Sequence, residues 1–434
     1  MTVDIIGISI LLGIFALLLI IKLPIAFCLA ISSMATAVYE GISLGTVTQR
    51  MVAGVDSFSL LAIPFFILAG EIMGAGGITD RLVKLSDVIV GRVRGGLACV
   101  NVLNSTFFGA IQGSIVADIA SLGPIQMRMM RKAGYPDSFS IGVTIASSGQ
   151  SVILPPGHNM IIYASAVGGI SIGKLFMAGM IPGLVLGAVL MIQVFIISWM
   201  RGYPKGQTYP FKESIKIILD SFAGLFTVVL IVGGVLSGIV TANESAVIAC
   251  IWAFFITLVL YKGITVKEVW TILKRVLGTL AMVFTMIAAA SAFGYMMTIL
   301  RIPSLTAQWF LSISDNKYVL LFLINVMLLL IGTIIDGAPL ILICAPVLYP
   351  VITGPNVGMD PIHFGVVMML NLAIGLMTPP IGTALFVGAG ISGLKMEQIV
   401  KAMLPFYATM ILTLFLLTYI PALSMTIPNM MFGD

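Results

Sequence analysis

Long apolar stretches separated by short polar turns recur along the whole chain. Most have the length of one membrane-spanning helix, which needs about 20 apolar residues. The pattern predicts an all-α polytopic membrane protein. The stretches fall at about 5–21, 23–39, 58–74, 97–127, 138–168, 175–199, 222–241, 245–261, 276–299, 318–350, 362–392 and 404–424.

Four of these stretches are interrupted. Those at about 97–127 and 318–350 are too long for one helix, and their centres are polar and glycine-rich. We predict that each is a re-entrant helical hairpin, because paired full spans would not explain the polar tips. Those at 138–168 and 362–392 contain a Pro-Pro pair, which predicts broken helices because proline lacks the N–H that a helix needs.

The second half of the chain repeats the first at an offset of about 224 residues. Leu154-Pro155-Pro156-Gly157 recurs as Thr378-Pro379-Pro380-Ile381, and Asn101 falls on Asn325. Interrupted helices at matching places in two halves are typical of secondary transporters with inverted-topology repeats. The sequence therefore predicts two inverted repeats in a fold of the elevator type.

The repeat suggests a division into five segments. Scaffold helices with an amphipathic arm would occupy 1–62 and again 222–280, although the arms could also be ordinary amphipathic loops. A transport core would occupy 63–200 and again 281–434. A cytoplasmic amphipathic connector at 201–221 would join the two halves.

Composition and charge support a membrane protein. Apolar residues make up 59% of the chain and charged residues 9%, against about 25% charged in soluble domains. Eighteen of the 22 Lys and Arg residues fall on one side of the predicted topology, and short basic loops stay cytoplasmic. Both chain ends are then periplasmic, and the first apolar run is a retained span. The bases on the other side are Arg50, Lys174, Arg301 and Lys317.

The interrupted segments are candidates for two Na⁺ sites. Free carbonyls and hydroxyls suit a small hard cation, and irregular backbone at membrane depth must line a cavity or be buried in protein. One site would lie between 104–114 and 147–157, and the other between 332–339 and 376–383. The alternative is that these residues only permit kinks and close packing. The predicted ligands are Asn104, Ser105, Gly109, Gly113, Ser148 and Gly149, then Gly332, Thr333, Gly337, Thr378, Pro379 and Thr383.

A substrate site is predicted beside the cations. An acidic side chain within a membrane is costly and is a functional candidate by default, which singles out Asp336. Asp118 could act there or cap a helix, Glu71 stays unassigned, and Glu244 fits a helix cap. His363 is expected to be interfacial. The predicted substrate contacts are Asp336, Ser114, Gln112, His158 and Asn159.

The chain resembles the large DctM-type membrane subunit of TRAP (tripartite ATP-independent periplasmic) transporters. The strongest matches are 63–71, 108–114 with Asp118, 154–157 and 378–382. The resemblance implies Na⁺-coupled import of an organic acid across a bacterial or archaeal inner membrane, with no other cofactor. It also implies a periplasmic substrate-binding protein and a small four-helix membrane subunit, expected here as a separate chain.

The substrate is less sharply indicated than the family. His158-Asn159 resembles members that move sialic acid or related sugar acids, with C4-dicarboxylates as the other option. Gly157 departs from the Ser that many relatives carry after the Pro-Pro pair. A single-component ion-coupled carboxylate carrier is the alternative function. No nucleophile–base pair or metal-ligand spacing indicates an enzyme, and a passive channel would not need matched cation sites.

Overall fold

The computed structural model describes residues 4–433, and within that range the chain is helical throughout. It contains no β-strand there, and Arg94 and Lys205 form an isolated antiparallel bridge. The predicted all-α class is therefore confirmed. The predicted side of the two chain ends concerns residues 1–3 and 434 in part, which lie outside the described range.

The first half contains eleven helices, and a short 3₁₀ turn, Phe58–Leu61, leads into the fourth. They are α1 (Ile5–Ile20), α2 (Ile25–Tyr39), α3 (Leu44–Val55), α4 (Ala62–Ala75), α5 (Ile78–Val90), α6 (Gly96–Gln112), α7 (Ile115–Lys132), α8 (Asp137–Ser148), α9 (Gln150–Ile153), α10 (His158–Val167) and α11 (Ile172–Met200).

The second half follows the same plan, with π-helical turns at Val229–Gly233 and Phe255–Leu260. Its helices are α12 (Phe211–Val228), α13 (Gly234–Leu236), α14 (Ala242–Phe254), α15 (Val266–Ile299), α16 (Ile302–Ile313), α17 (Lys317–Gly332), α18 (Gly337–Thr353), α19 (Pro361–Leu376), α20 (Thr383–Ser392), α21 (Met396–Tyr419) and α22 (Ala422–Phe432).

Six of the described helical stretches are long and apolar enough to cross a membrane. Shorter apolar helices, α1, α2 and α17–α20 among them, accompany these six. The six stretches are Phe58–Ala75, Ile172–Met200, Phe211–Leu236, Ala242–Leu260, Val266–Ile299 and Met396–Tyr419.

Helices of the two halves begin at matching positions. The helix α16 begins at Ile302, 224 residues after α5 begins at Ile78. The same offset separates the first residues of α8 and α19, and those of α11 and α21. The helices α5 and α16 were not among the predicted spans, because they are short and have polar faces.

Helix starts carry the caps that their sequences provide. Thr241 and Glu244 form a reciprocal capping box at the start of α14, as Thr265 and Glu268 do for α15. Such a pair satisfies two backbone N–H groups that a helix start leaves without partners. The prediction that Glu244 caps a helix is confirmed.

Two predicted breaks are absent. The expected arm near 266–277 and the span at 276–299 form one helix, α15, of 34 residues. The expected connector and the span after it also form one helix, α12, which runs from Phe211 across residue 221. Neither junction contains proline or a left-handed residue, so nothing interrupts the helical hydrogen bonds. The predicted domain limits at 221 and 280 thus fall within helices.

The arms pack across the two halves. The first arm, α3, lies against α15, which also packs against α2, while α4 packs against α14. An ion pair between Glu71 Oε2 on α4 and Arg275 Nη1 on α15, at 3.5 Å, joins the second arm to the first half. This contact gives Glu71, unassigned from the sequence, a role in joining two helices.

The connector is attached to α5. Arg81 Nε lies 3.0 Å from Asp220 Oδ2, and its guanidinium stacks over the Tyr261 ring at 3.7 Å. Nearby, Tyr209 Oη donates to Asp87 at 2.7 Å. Burial raises the pKa of the Asp87 carboxyl, and the hydrogen bond from Tyr209 offsets part of that rise. These polar contacts fix where the second half begins relative to the first.

The contact of α3 with α15 can be tested at Gly54. A Cβ at Gly54 would lie 1.9 Å from Ser291 Oγ, whereas one at Gly278 on α15 would meet nothing within 4 Å. Overpacking costs about 1–3 kcal/mol, so Gly54→Leu should lower the melting temperature of the purified protein by several degrees. Gly278→Leu, the matched control, should leave it nearly unchanged. Equal melting temperatures would contradict this packing.

Candidate functional site

The break between α6 and α7 forms a tip at Gly113 and Ser114 that touches the first Pro-Pro segment. Gly113 has a φ of +64°, which favours glycine. A Cβ there would lie 2.8 Å from Pro156 O. Ser114 caps α7 by accepting a hydrogen bond from Ala117 N–H at 3.4 Å. The sequence at the tip therefore serves a left-handed turn, a close approach and a new helix start.

The rest of this tip packs tightly. A Cβ at Gly109 would lie 2.9 Å from Ser151 Cα, so α6 and α9 touch through backbone. Gln112 Nε2 donates to Gly70 O on α4 at 3.3 Å, while its buried Oε1 has no partner among the described residues. Ser148 Oγ is bonded to Ile145 O within its own helix at 2.7 Å. Gly149 packs against the Met410 and Met377 side chains.

A buried polar network joins α6 to α8. Asn101 Nδ2 donates to Thr144 Oγ1 at 2.8 Å, and Ser147 Oγ donates to Asn101 Oδ1 at 3.2 Å. Ser105 Oγ lies 3.0 Å from Ser147 Oγ. Asn104 is fully buried, and neither polar atom of its side chain has a partner among the described residues.

The second half contains the equivalent bridge. Asn371 Nδ2 on α19 donates to Asn325 Oδ1 on α17 at 2.8 Å, and Asn325 Nδ2 donates to Thr418 Oγ1 at 3.0 Å. Asn325 and Asn371 lie 224 residues after Asn101 and Ser147. In both halves, the hairpin helix is thus hydrogen-bonded to the broken helix at the same position.

The second tip, residues 333–336, also contacts its Pro-Pro segment. Ile381 N–H donates to Thr333 O at 3.2 Å, and Gly332 and Gly375 meet through their backbones. The peptide bond between Pro379 and Pro380 is cis, as is that between Pro155 and Pro156. The hydroxyl of Thr378 donates to Ile374 O at 2.6 Å.

Two polar groups near this tip differ in their surroundings. Asp336 is exposed and caps α18 by accepting from Gly337 N–H at 2.9 Å. The Thr383 hydroxyl, at the start of α20, is buried without a partner among the described residues. A capping carboxylate that remains exposed keeps oxygen atoms available for a ligand.

The first Pro-Pro segment meets the second tip. His158 and Asn159 begin α10, and His158 is half-buried. Asn159 Nδ2 lies 3.5 Å from the position of a Cβ at Gly337, and Asn159 Oδ1 is buried without a partner among the described residues. The two halves therefore contribute side chains to a shared boundary.

A cavity of about 410 Å³ lies between the second tip and the turn from α1 to α2. Its walls include Gly332, Thr333, Asp336 and Thr383, all predicted site residues. The opposite wall includes Lys22, which has a φ of +64° in the turn. The volume lies within the range of small-molecule sites. Of the residues predicted in the first half, none lines this cavity.

The structure decides two further expectations. Asp118 does not cap α7, because Ser114 does; it accepts a hydrogen bond from Ser151 Oγ at 3.3 Å and is buried. The expectation that His363 is interfacial is wrong. His363 is buried and contacts Ser424 Oγ and Thr418 O, because α22 folds over the start of α19.

Sequence reasoning missed several of these residues. Asn101 and Asn325 were visible only as matching repeat positions, and their pairing with Ser147 and Asn371 lay at that same offset. Lys22 counted only as a cytoplasmic charge, because no pattern linked the first turn to residue 336. The contact depends on packing between distant elements.

An all-helical chain with two sets of interrupted helices, each tip touching a Pro-Pro segment, has the features of a secondary transporter. The chain matches the model of one such family, "Tripartite ATP-independent periplasmic transporter, DctM component", over residues 12–423, and it belongs to that family. The resemblance inferred from the motifs is confirmed, and the chain is a transporter component, not an enzyme.

Two relatives and one solved structure illustrate the similarity. The sialic acid TRAP transporter large permease protein SiaM of Vibrio cholerae is 36% identical over 417 residues, covering 96% of this chain and 97% of that protein. The isethionate TRAP transporter permease protein DctMQ of Oleidesulfovibrio alaskensis is 37% identical, covering 96% of this chain and 65% of that protein.

The crystal structure of the Alcanivorax borkumensis YdaH transporter has a similar fold. The TM-score is 0.64 with 15% identity, and the match covers 86% of each chain. At this identity the likeness concerns the fold alone.

The contact between the first tip and the Pro-Pro segment can be tested by hydrogen exchange. Gly113→Ala would push a methyl group against Pro156 O, at a cost of about 1–3 kcal/mol. Amide exchange in residues 110–118 and 154–158 should then rise about tenfold or more. Gly134→Ala is the matched control, because Gly134 has a φ of +86° but no neighbour within 4 Å. Unchanged exchange at both segments of Gly113→Ala would refute the contact.

Proposed function

We propose that this protein is the large membrane subunit of a Na⁺-coupled TRAP importer of a small organic acid. One observation carries the proposal. In each half a hairpin tip touches a Pro-Pro segment, and a buried Asn–Ser or Asn–Asn bridge lies behind that contact at an offset of 224 residues. Such matched pairs of interrupted helices are where secondary transporters bind their substrates and coupling ions.

The two halves are proposed to be inverted repeats, with α6–α7 and α17–α18 as re-entrant hairpins. The matching helix starts support the repeat. Four of the cavity-lining predicted site residues belong to the proposed core, and the opposite wall, around Lys22, belongs to the proposed scaffold. A movement of the core along the scaffold would open and close this cavity, which is the elevator mechanism.

Na⁺ is the proposed coupling ion at each tip. Backbone carbonyls freed by the proline pairs, together with hydroxyls such as those of Thr333 and Thr383, are the oxygen ligands that a hard cation takes. The buried Thr383 hydroxyl supports this assignment, since it has no partner among the described residues. Gly332, Gly337, Thr378 and Pro379 contribute backbone or hydroxyl oxygens in the second site, as Gly109, Gly113 and Gly149 do in the first.

The organic acid is proposed to bind beside the second tip. Lys22 supplies a positive charge for a carboxylate, and Asp336 accepts hydrogen bonds from hydroxyl or amide groups of the substrate. Asn159, Gln112, Ser114 and His158 would complete the site from the first half. A sugar acid such as sialic acid matches this mixture of charge and hydrogen bonding better than a C4-dicarboxylate, which has two carboxylates and few hydroxyls.

The assembly is proposed to be tripartite. A small four-helix membrane subunit and a periplasmic substrate-binding protein would complete it in a bacterial inner membrane, with both ends of this chain on the periplasmic side. Because Lys22 falls on the cytoplasmic side of the charge-based topology, the cavity would open toward the cytoplasm. A single-component carboxylate carrier is the second candidate, since it would use the same interrupted helices.

Asp336 offers a sharp test of the proposed site. Asp336→Asn removes the charge but retains a good helix cap, so uptake should fall at least tenfold while expression and melting temperature stay unchanged. Asp360 caps α19 and does not line the cavity, so Asp360→Asn is the matched control and should transport normally. Uptake by Asp336→Asn at the parent rate would remove this carboxylate from the site.

A further inference from the structure

The carboxylate of Asp118 is buried without a compensating charge. The residue is 1% exposed, and Ser151 Oγ donates to its Oδ2 at 3.3 Å. Its Oδ1 is buried and has no partner among the described residues. Ser105 interacts with the same carboxylate from α6. Buried charges in proteins are paired or bind cations, so this site lacks a partner of positive charge.

No basic side chain lies near enough to serve. The helices with the most contacts to α7 are α6, α8, α9 and α20, and none of them contains Lys or Arg. The nearest base on α7 itself is Arg128, ten residues from Asp118, or about 15 Å along a helix. The missing charge must therefore come from a bound ion or a proton.

A second buried group indicates an ion. Asn104, next to Ser105 on α6, is 0% exposed, and both its amide oxygen and its amide nitrogen lack partners among the described residues. A proton on Asp118 would neutralise the carboxylate but would leave this amide unsatisfied. A cation bound by oxygen atoms accounts for both groups, because carboxylate, amide and hydroxyl oxygens are ligands of hard cations.

The second half has no such cluster. At the repeat offset, Asn104 and Ser105 correspond to Leu328 and Leu329, and Ser151 corresponds to Gly375. Asp118 corresponds to Leu340, with the offset of 222 that aligns Gly123-Pro124 with Ala345-Pro346. A cation site built on these residues is therefore separate from the two matched sites at the tips, whose contacts occur in both halves.

We propose that Asp118, Asn104, Ser105 and Ser151 form an additional Na⁺ site present only in the first half. This inference rests on the Na⁺-coupled transport proposed above. It reassigns Asn104 and Ser105 from the first tip site to this deeper one. The tip site keeps Gly109, Gly113 and Gly149, and the ion at the Asp118 site joins α6, α7 and α9.

The test is equilibrium binding of ²²Na⁺ to the purified full-length chain. Asp118→Asn keeps the shape of the side chain and removes its charge, and it should bind one Na⁺ fewer per chain than the parent. Asp80→Asn, which removes an exposed carboxylate from α5, should bind as many as the parent. Equal binding by Asp118→Asn and the parent would overturn the site, and protonation would then neutralise Asp118.

A second variant guards against misfolding of the first. Ser151→Ala removes one ligand, and should weaken the affinity of one Na⁺ about tenfold, the usual effect of losing one hydrogen-bonding or ligand group to a charge. Unchanged affinity in this variant would also count against the site. A parent chain that binds no ²²Na⁺ would refute Na⁺ coupling itself, whereas a parent that binds Na⁺ identically to both variants would refute only the Asp118 site.

Discussion

Backbone N–H and C=O groups within a membrane must find partners inside the protein, and the interrupted helices of this chain make that requirement acute. Each tip meets it by lying against the Pro-Pro segment of its own half. In the second half, Ile381 N–H bonds directly to Thr333 O. In the first, only a glycine at position 113 permits the approach to Pro156 O. Unwound backbone is tolerated only where protein or a wet cavity surrounds it.

The packing behind the tips follows from this constraint. Asn101 and Asn325 hold each hairpin helix against its broken helix, and both are buried. Buried polar networks stabilise one arrangement strongly when they are fully satisfied. They leave the tips as the places where oxygen atoms remain free. The arms pack across the halves, so the cores are enclosed by helices from both repeats.

Much of this organisation could be predicted from the sequence, because glycine, proline and apolar length report local backbone behaviour directly. The Pro-Pro breaks, the tips and the capping by Glu244 are of this kind. The continuity of α15 could not be predicted, since an amphipathic arm and a following span have different polarity but the same helical backbone. The burial of His363 depends on α22, more than 55 residues away along the chain. The contact of Asp118 with Ser151 likewise joins helices far apart in sequence.

The most direct test of the account is uptake of labelled sialic acid into proteoliposomes that contain this chain and its small membrane subunit. An inward Na⁺ gradient and the periplasmic binding protein would each be present or absent, with a C4-dicarboxylate and isethionate run in parallel. The account predicts uptake of one of these acids only when both the Na⁺ gradient and the binding protein are present. Uptake driven by Na⁺ without the binding protein, or uptake indifferent to Na⁺, would contradict it.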